Sequence, residues 1–144
     1  MDTSKEYIKM CDRGEIQDRW EPEPGDWFAV PHKDDYVLIL YTSEFMSENG
    51  RVYSGEDRFV YWDKCIWLPR QDQLQGMLAY LFLNPTRQEE TDFITMSYYF
   101  HRFAQRNNTM HPNLKSMDQL WLAFVMWELH KKVWTGKEWQ TKEV

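Results

Sequence analysis

The segment Cys65-Ile66-Trp67-Leu68-Pro69-Arg70-Gln71-Asp72-Gln73-Leu74 decides the fold class, because the sequence changes there from strand patterns to helix patterns. Short apolar runs separated by turn residues come before it, for example Trp27–Val30 and Tyr36–Tyr41. After Pro69, apolar residues recur with the three- and four-residue spacing of one helix face: Leu74, Met77, Leu78, Leu81 and Phe82. Strands followed by helices predict an α+β fold.

Capping boxes, in which Ser or Thr is followed three residues later by Glu or Gln, predict three helix starts. The pairs are Thr3 with Glu6, Thr86 with Glu89, and Ser116 with Gln119. From the first pair, an N-terminal helix should run to about Trp20, where Pro and Gly residues follow. The next strand patterns predict an antiparallel meander of four or five strands over about 26–68, with turns at Asn49-Gly50 and Ser54-Gly55.

Three helices are predicted after the meander, over about 70–83, 87–105 and 117–131. The middle helix is ambiguous, because the apolar residues of 91–104 fit a helix face and also alternate as in a strand. The capping box at Thr86 favours a helix. We expect all of residues 1–144 to form a single domain.

The last predicted helix, 117–131, contains eight successive apolar residues from Leu120 to Trp127. A helix that is apolar on every side must be buried on every side. We therefore expect this helix either to be central or to share a face with a second subunit, so a homodimer through 117–131 is one hypothesis. A short C-terminal hairpin is predicted next, with Gly136-Lys137 as its loop and Trp134 opposite Trp139.

The net charge of −6 is unevenly distributed along the chain. Residues 1–90 contain ten Lys/Arg and eighteen Asp/Glu, whereas residues 91–144 contain seven and five. An acidic surface repels phosphate backbones, so nucleic acid is not the expected partner. The aromatic content of 17% exceeds that of ordinary domains, so some rings are candidates for lining a pocket.

Two cysteines, Cys11 and Cys65, lie among apolar residues and are predicted to be buried, reduced thiols. Reduced thiols favour the cytoplasm. The N-terminus has no apolar signal segment, and no apolar run reaches the roughly 18 residues that a membrane helix needs. We expect a cytoplasmic protein that is neither exported nor inserted in a membrane.

The sequence contains no glycine-rich phosphate loop, no close set of metal ligands and no recognisable nucleophile with its base. We predict no cofactor and no metal. The candidate ligand site is the strand-to-helix junction, where free N–H groups, a cation and aromatic faces could bind a planar or anionic ligand: Arg70, Gln71, Asp72 and Gln73, with Trp62 and Trp67 nearby. The alternative is an ordinary junction, in which Asp72 interacts with the helix dipole and Arg70 pairs with a local acid.

Six strings of the sequence carry a resemblance to a known group: Tyr7–Cys11, Glu15–Gln17, Trp20–Pro22 with Gly25-Asp26, Trp67–Leu74, Leu120–Met126 and Val133–Trp139. In these strings the chain resembles small uncharacterised proteins encoded in phages and prophages of Gram-positive bacteria, and the match extends over nearly the whole length. The resemblance implies a phage or prophage origin and the cytoplasm of a bacterial host as the setting. It implies no activity and no catalytic residue.

Two classes of function follow from these observations. The first is a non-catalytic phage or prophage accessory protein that binds a host or defence protein, or a small ligand, through an acidic and aromatic-rich surface. The alternative is a small hydrolase acting on nucleotides or nucleic acid, whose catalytic residues the sequence leaves unknown. Because the sequence contains no catalytic motif, it favours the first class.

Overall fold

The computed structural model describes residues 1–41, 51–53, 59–61, 64–82, 89–110 and 113–142. In chain order the elements are α1 (Lys5–Cys11), α2 (Gly14–Gln17), β1 (Trp27–His32), β2 (Asp35–Leu40), β3 (Arg51–Tyr53), β4 (Phe59–Tyr61), β5 (Ile66–Leu68), α3 (Gln71–Phe82), α4 (Glu89–Met110), α5 (Met117–His130), β6 (Lys132–Trp134) and β7 (Trp139–Thr141). This mixture of helices and antiparallel strands confirms the α+β class.

The chain divides into two compact units, which are described separately. The N-terminal unit comprises residues 3–69, and the C-terminal unit comprises residues 1–2 and 70–144. The boundary lies at the strand-to-helix junction. The single domain expected from the sequence stays a prediction.

The sheet of the N-terminal unit has three antiparallel strands in the order β2-β1-β5. One edge of β1 pairs with β2 along its full length, and the other pairs with β5, where Phe28 lies opposite Trp67. β3 and β4 form a separate two-stranded ladder, so the predicted meander of four or five strands was wrong in its extent. Alternation predicts that a segment is a strand, but its partner depends on distant contacts. The turns predicted at Asn49-Gly50 and Ser54-Gly55 fall outside the described residues.

The predicted N-terminal helix to about Trp20 was wrong in length, because two short helices replace it. Asp12 has φ −75° and ψ 64°, and the Arg13 amide donates to the Cys11 carbonyl at 2.7 Å. These are the dihedrals and the hydrogen bond of an inverse γ-turn, which ends α1 sharply. The N-cap also differs by one residue, since Ser4 rather than Thr3 accepts a hydrogen bond from the first turn.

The core of the N-terminal unit contains residues of its sheet and of α1. One buried cluster contains Phe28, Val30, Ile39 and Cys65. Tyr7 is fully buried on α1, and its hydroxyl donates to the Pro69 carbonyl at 2.6 Å, which fastens α1 to the segment after β5. Both cysteines are free and buried, as the sequence predicted.

The C-terminal unit contains the three helices predicted from the sequence, with ends that differ by a few residues. The ambiguous segment 91–104 is helical, because it lies within α4, which extends from Glu89 to Met110. Phe100 of α4 stacks on Trp121 of α5 with ring centroids 3.8 Å apart and planes 3° from parallel. No helix in the described ranges has the length and apolar character needed to cross a bilayer.

The apolar helix α5 is the central helix of the C-terminal unit. Its residues from Trp121 to Met126 are each at most 5% exposed within the single chain. The Ser116 hydroxyl accepts a hydrogen bond from the Gln119 amide at 3.1 Å, which confirms the predicted cap. The homodimer seam predicted on 117–131 gains no support, because these six residues are already covered.

The C-terminal hairpin is also confirmed. Trp134 pairs with Trp139, and the centroids of their rings are 5.2 Å apart. The Thr135 amide donates to the Glu138 carbonyl. Gly136, between them, has φ +93°, which residues other than glycine rarely adopt.

Candidate functional site

A cleft of about 530 Å³ lies in the N-terminal unit, at the start of β5. Three segments distant in sequence line it: Asp12, Arg13, Gly14, Gln17, Asp18 and Trp20 from the α1–α2 region, Pro31 from β1, and Lys64, Cys65 and Ile66. Its volume is within the range of roughly 300 to 1,000 Å³ that is common for small-molecule sites. The cleft is therefore large enough for a metabolite.

The wall formed by residues 12–18 exists because the helix breaks there. After the inverse γ-turn at Asp12, Arg13 is extended with φ −141° and ψ 143°, and α2 begins at Gly14. The Arg13 carbonyl accepts hydrogen bonds from the amides of Ile16 and Gln17, so the first turn of α2 forms directly after the helix break. This corner places charged side chains at the rim of the cleft instead of along one straight helix.

Gln17 fixes the corner to the sheet. Its side-chain oxygen accepts from the Trp67 amide at 2.8 Å, and its side-chain nitrogen donates to the Trp67 carbonyl at 3.0 Å and to the Cys11 carbonyl at 2.8 Å. β5 is an edge strand, and an edge strand otherwise leaves backbone groups unpaired. The amide of Gln17 therefore takes the place of a neighbouring strand at Trp67.

The aromatic wall of the cleft is Trp20. Its indole ring stacks on that of Trp67 with centroids 6.3 Å apart and planes 3° from parallel. The Trp20 Nε1 donates to Oδ2 of Asp26 at 3.0 Å, and the same oxygen accepts from the Glu23 amide at 3.0 Å. Asp26 is only 1% exposed, so a buried carboxylate holds the orientation of Trp20.

The charges at the rim have both signs. Arg13 and Lys64 are exposed cations, and the Arg13 Nε lies 3.6 Å from a carboxylate oxygen of Glu15. Asp12 and Asp18 are exposed carboxylates. The rim therefore offers cationic donors for an anionic group and carboxylate acceptors for N–H or O–H groups.

The floor of the cleft is apolar. Cys65 and Ile66 line it and are each 6% exposed. In the described ranges, no group of three or more His, Cys, Asp or Glu side chains is arranged to hold a metal ion.

Comparisons of the chain with family models, curated proteins and solved structures find no match.

At the strand-to-helix junction predicted as the ligand site, polar residues pair with one another. Arg70 precedes α3, and its backbone amide donates to Oε1 of Gln73 at 2.9 Å, as in a capping box. The Arg70 guanidinium contacts the Asp72 carboxylate through Nε at 3.1 Å and through Nη2 at 3.3 Å. Gln71 is exposed in the first turn of α3. These contacts are those of the ordinary junction, and the ligand role of Arg70, Gln71, Asp72 and Gln73 stays a prediction.

Trp67 belongs to the N-terminal unit, whereas Arg70 to Gln73 belong to the C-terminal unit, so they are described separately. Trp67 is 4% exposed, and one face of its ring is covered by Trp20, so it supports the cleft from behind. Trp62 lies outside the described residues.

Four residues that line the cleft were not predicted as site residues from the sequence: Asp12, Arg13, Asp18 and Lys64. The first three were assigned to the interior of one long helix, where charged residues are expected on a solvated face. One signal was available: Gly14 interrupts the predicted helix and directly follows two charged residues. No local pattern indicates that Lys64 lies near them.

Proposed function

We propose that this protein is a non-catalytic binding protein that holds a small anionic ligand with a planar ring in the cleft of its N-terminal unit. The observation that carries the proposal is the convergence of Arg13, Lys64 and Trp20 on one cleft with an apolar floor. Sites for small molecules commonly combine an apolar lining with a few polar groups that fix orientation.

Each part of the ligand has a counterpart in the cleft. The guanidinium of Arg13 and the ammonium of Lys64 supply donors for a phosphate or carboxylate. Trp20 is half-buried between Trp67 and Phe28, whose ring centroid lies 5.6 Å from its own, and the part of its ring that these two leave uncovered supplies an apolar surface for a planar group. Asp12 and Asp18 supply acceptors for ring N–H or amino groups, so a nucleoside monophosphate has the right combination of groups.

The expected setting is that of the resemblance, namely a phage or prophage product acting in the cytoplasm of its bacterial host. Binding of a host or defence protein, and hydrolysis of nucleotides or nucleic acid, stay predictions that the cleft does not address.

The proposal is tested by calorimetric titration of the full chain with adenosine monophosphate, adenosine and ribose 5-phosphate. We expect the monophosphate to bind more tightly than either fragment, because only it supplies both the anion and the ring. Arg13→Ala and Lys64→Ala should each weaken its binding by about tenfold or more, since a hydrogen bond to a charged group contributes about 1.5 to 3 kcal/mol.

Arg19→Ala is the matched control, because Arg19 is an exposed cation in the same segment that does not line the cleft. Its dissociation constant should stay within about twofold of that of the parent chain. Absence of a binding heat at millimolar adenosine monophosphate would contradict the proposal. Equal losses in Arg19→Ala and Arg13→Ala would also contradict it, because they would indicate nonspecific charge attraction.

A further inference from the structure

We draw no further inference here: the strongest candidate, the exposed apolar face of α4 around Ile94 and Tyr98, carries none because nothing in the described part of the chain shows what covers it.

Discussion

Gln17→Ala removes the side chain that fixes the α1–α2 corner to β5. Three hydrogen bonds are lost, two to the backbone of Trp67 and one to the Cys11 carbonyl. Trp67 is 4% exposed, so water does not readily replace the lost partner of its amide. A buried donor left without an acceptor costs about 1 to 3 kcal/mol, and each ordinary hydrogen bond contributes about 0.5 to 1.5 kcal/mol.

From these contributions we expect the free energy of unfolding to fall by about 3 kcal/mol. The assay is urea denaturation followed by tryptophan fluorescence, because Trp20 and Trp67 lie next to the altered contact. Hydrogen exchange supplies the local measurement: the Trp67 amide should exchange about a hundredfold faster, since 1.4 kcal/mol corresponds to a factor of ten. Both results should appear in the same variant.

Gln71→Ala is the control, because Gln71 is an exposed residue of the first turn of α3. Its stability should change by no more than about 0.5 kcal/mol. If Gln17→Ala behaved like this control, or if exchange of the Trp67 amide did not change, the edge of β5 would not depend on Gln17. The explanation that Gln17 holds the α1–α2 wall of the cleft against β5 would then be wrong.

Four further substitutions are tested by thermal and urea denaturation. Gly76→Ala should stabilise the chain by about 0.5 to 1 kcal/mol, because a Cβ on this helical residue meets no atom within 4 Å. Gly136→Ala should destabilise the chain, because Gly136 has φ +93° and the added Cβ would lie 3.0 Å from the side chain of Asn113. Equal shifts for the two glycines would contradict this reasoning. Ser116→Ala removes the N-cap of α5 and should cost about 1 kcal/mol. Asp26→Ala leaves an indole N–H and a backbone N–H without their acceptor and should cost about 2 to 4 kcal/mol; a loss below about 0.5 kcal/mol would show that the buried carboxylate does not hold the aromatic wall.

Features that depend on residues close in sequence could be predicted from the sequence. The cap at Ser116 and the pairing of Trp134 with Trp139 each involve residues three to five positions apart. The alternative for the junction, in which Arg70 pairs with a local acid, is of the same kind, and the structure shows that the acid is Asp72. Such interactions depend on spacing and side-chain chemistry, which the sequence gives directly.

The cleft could not be predicted, because its parts are far apart in sequence. Gln17 and Trp67 are separated by 50 positions, and their contact decides where the corner after α1 lies. The helix break at Asp12 was missed because apolar spacing continues across it, although Gly14 weakens the helix there. The pairing of β5 with β1 was missed for the same reason, since alternation does not specify which strands pair.

The most direct test of the central claim is the location of the bound ligand. In two-dimensional ¹H–¹⁵N spectra of the full chain titrated with adenosine monophosphate, we predict shifts of the Trp20 indole N–H and of the Arg13 and Lys64 amides. Shifts confined to residues 70–73 would instead place the ligand at the strand-to-helix junction. That result would contradict the assignment of the cleft as the binding site.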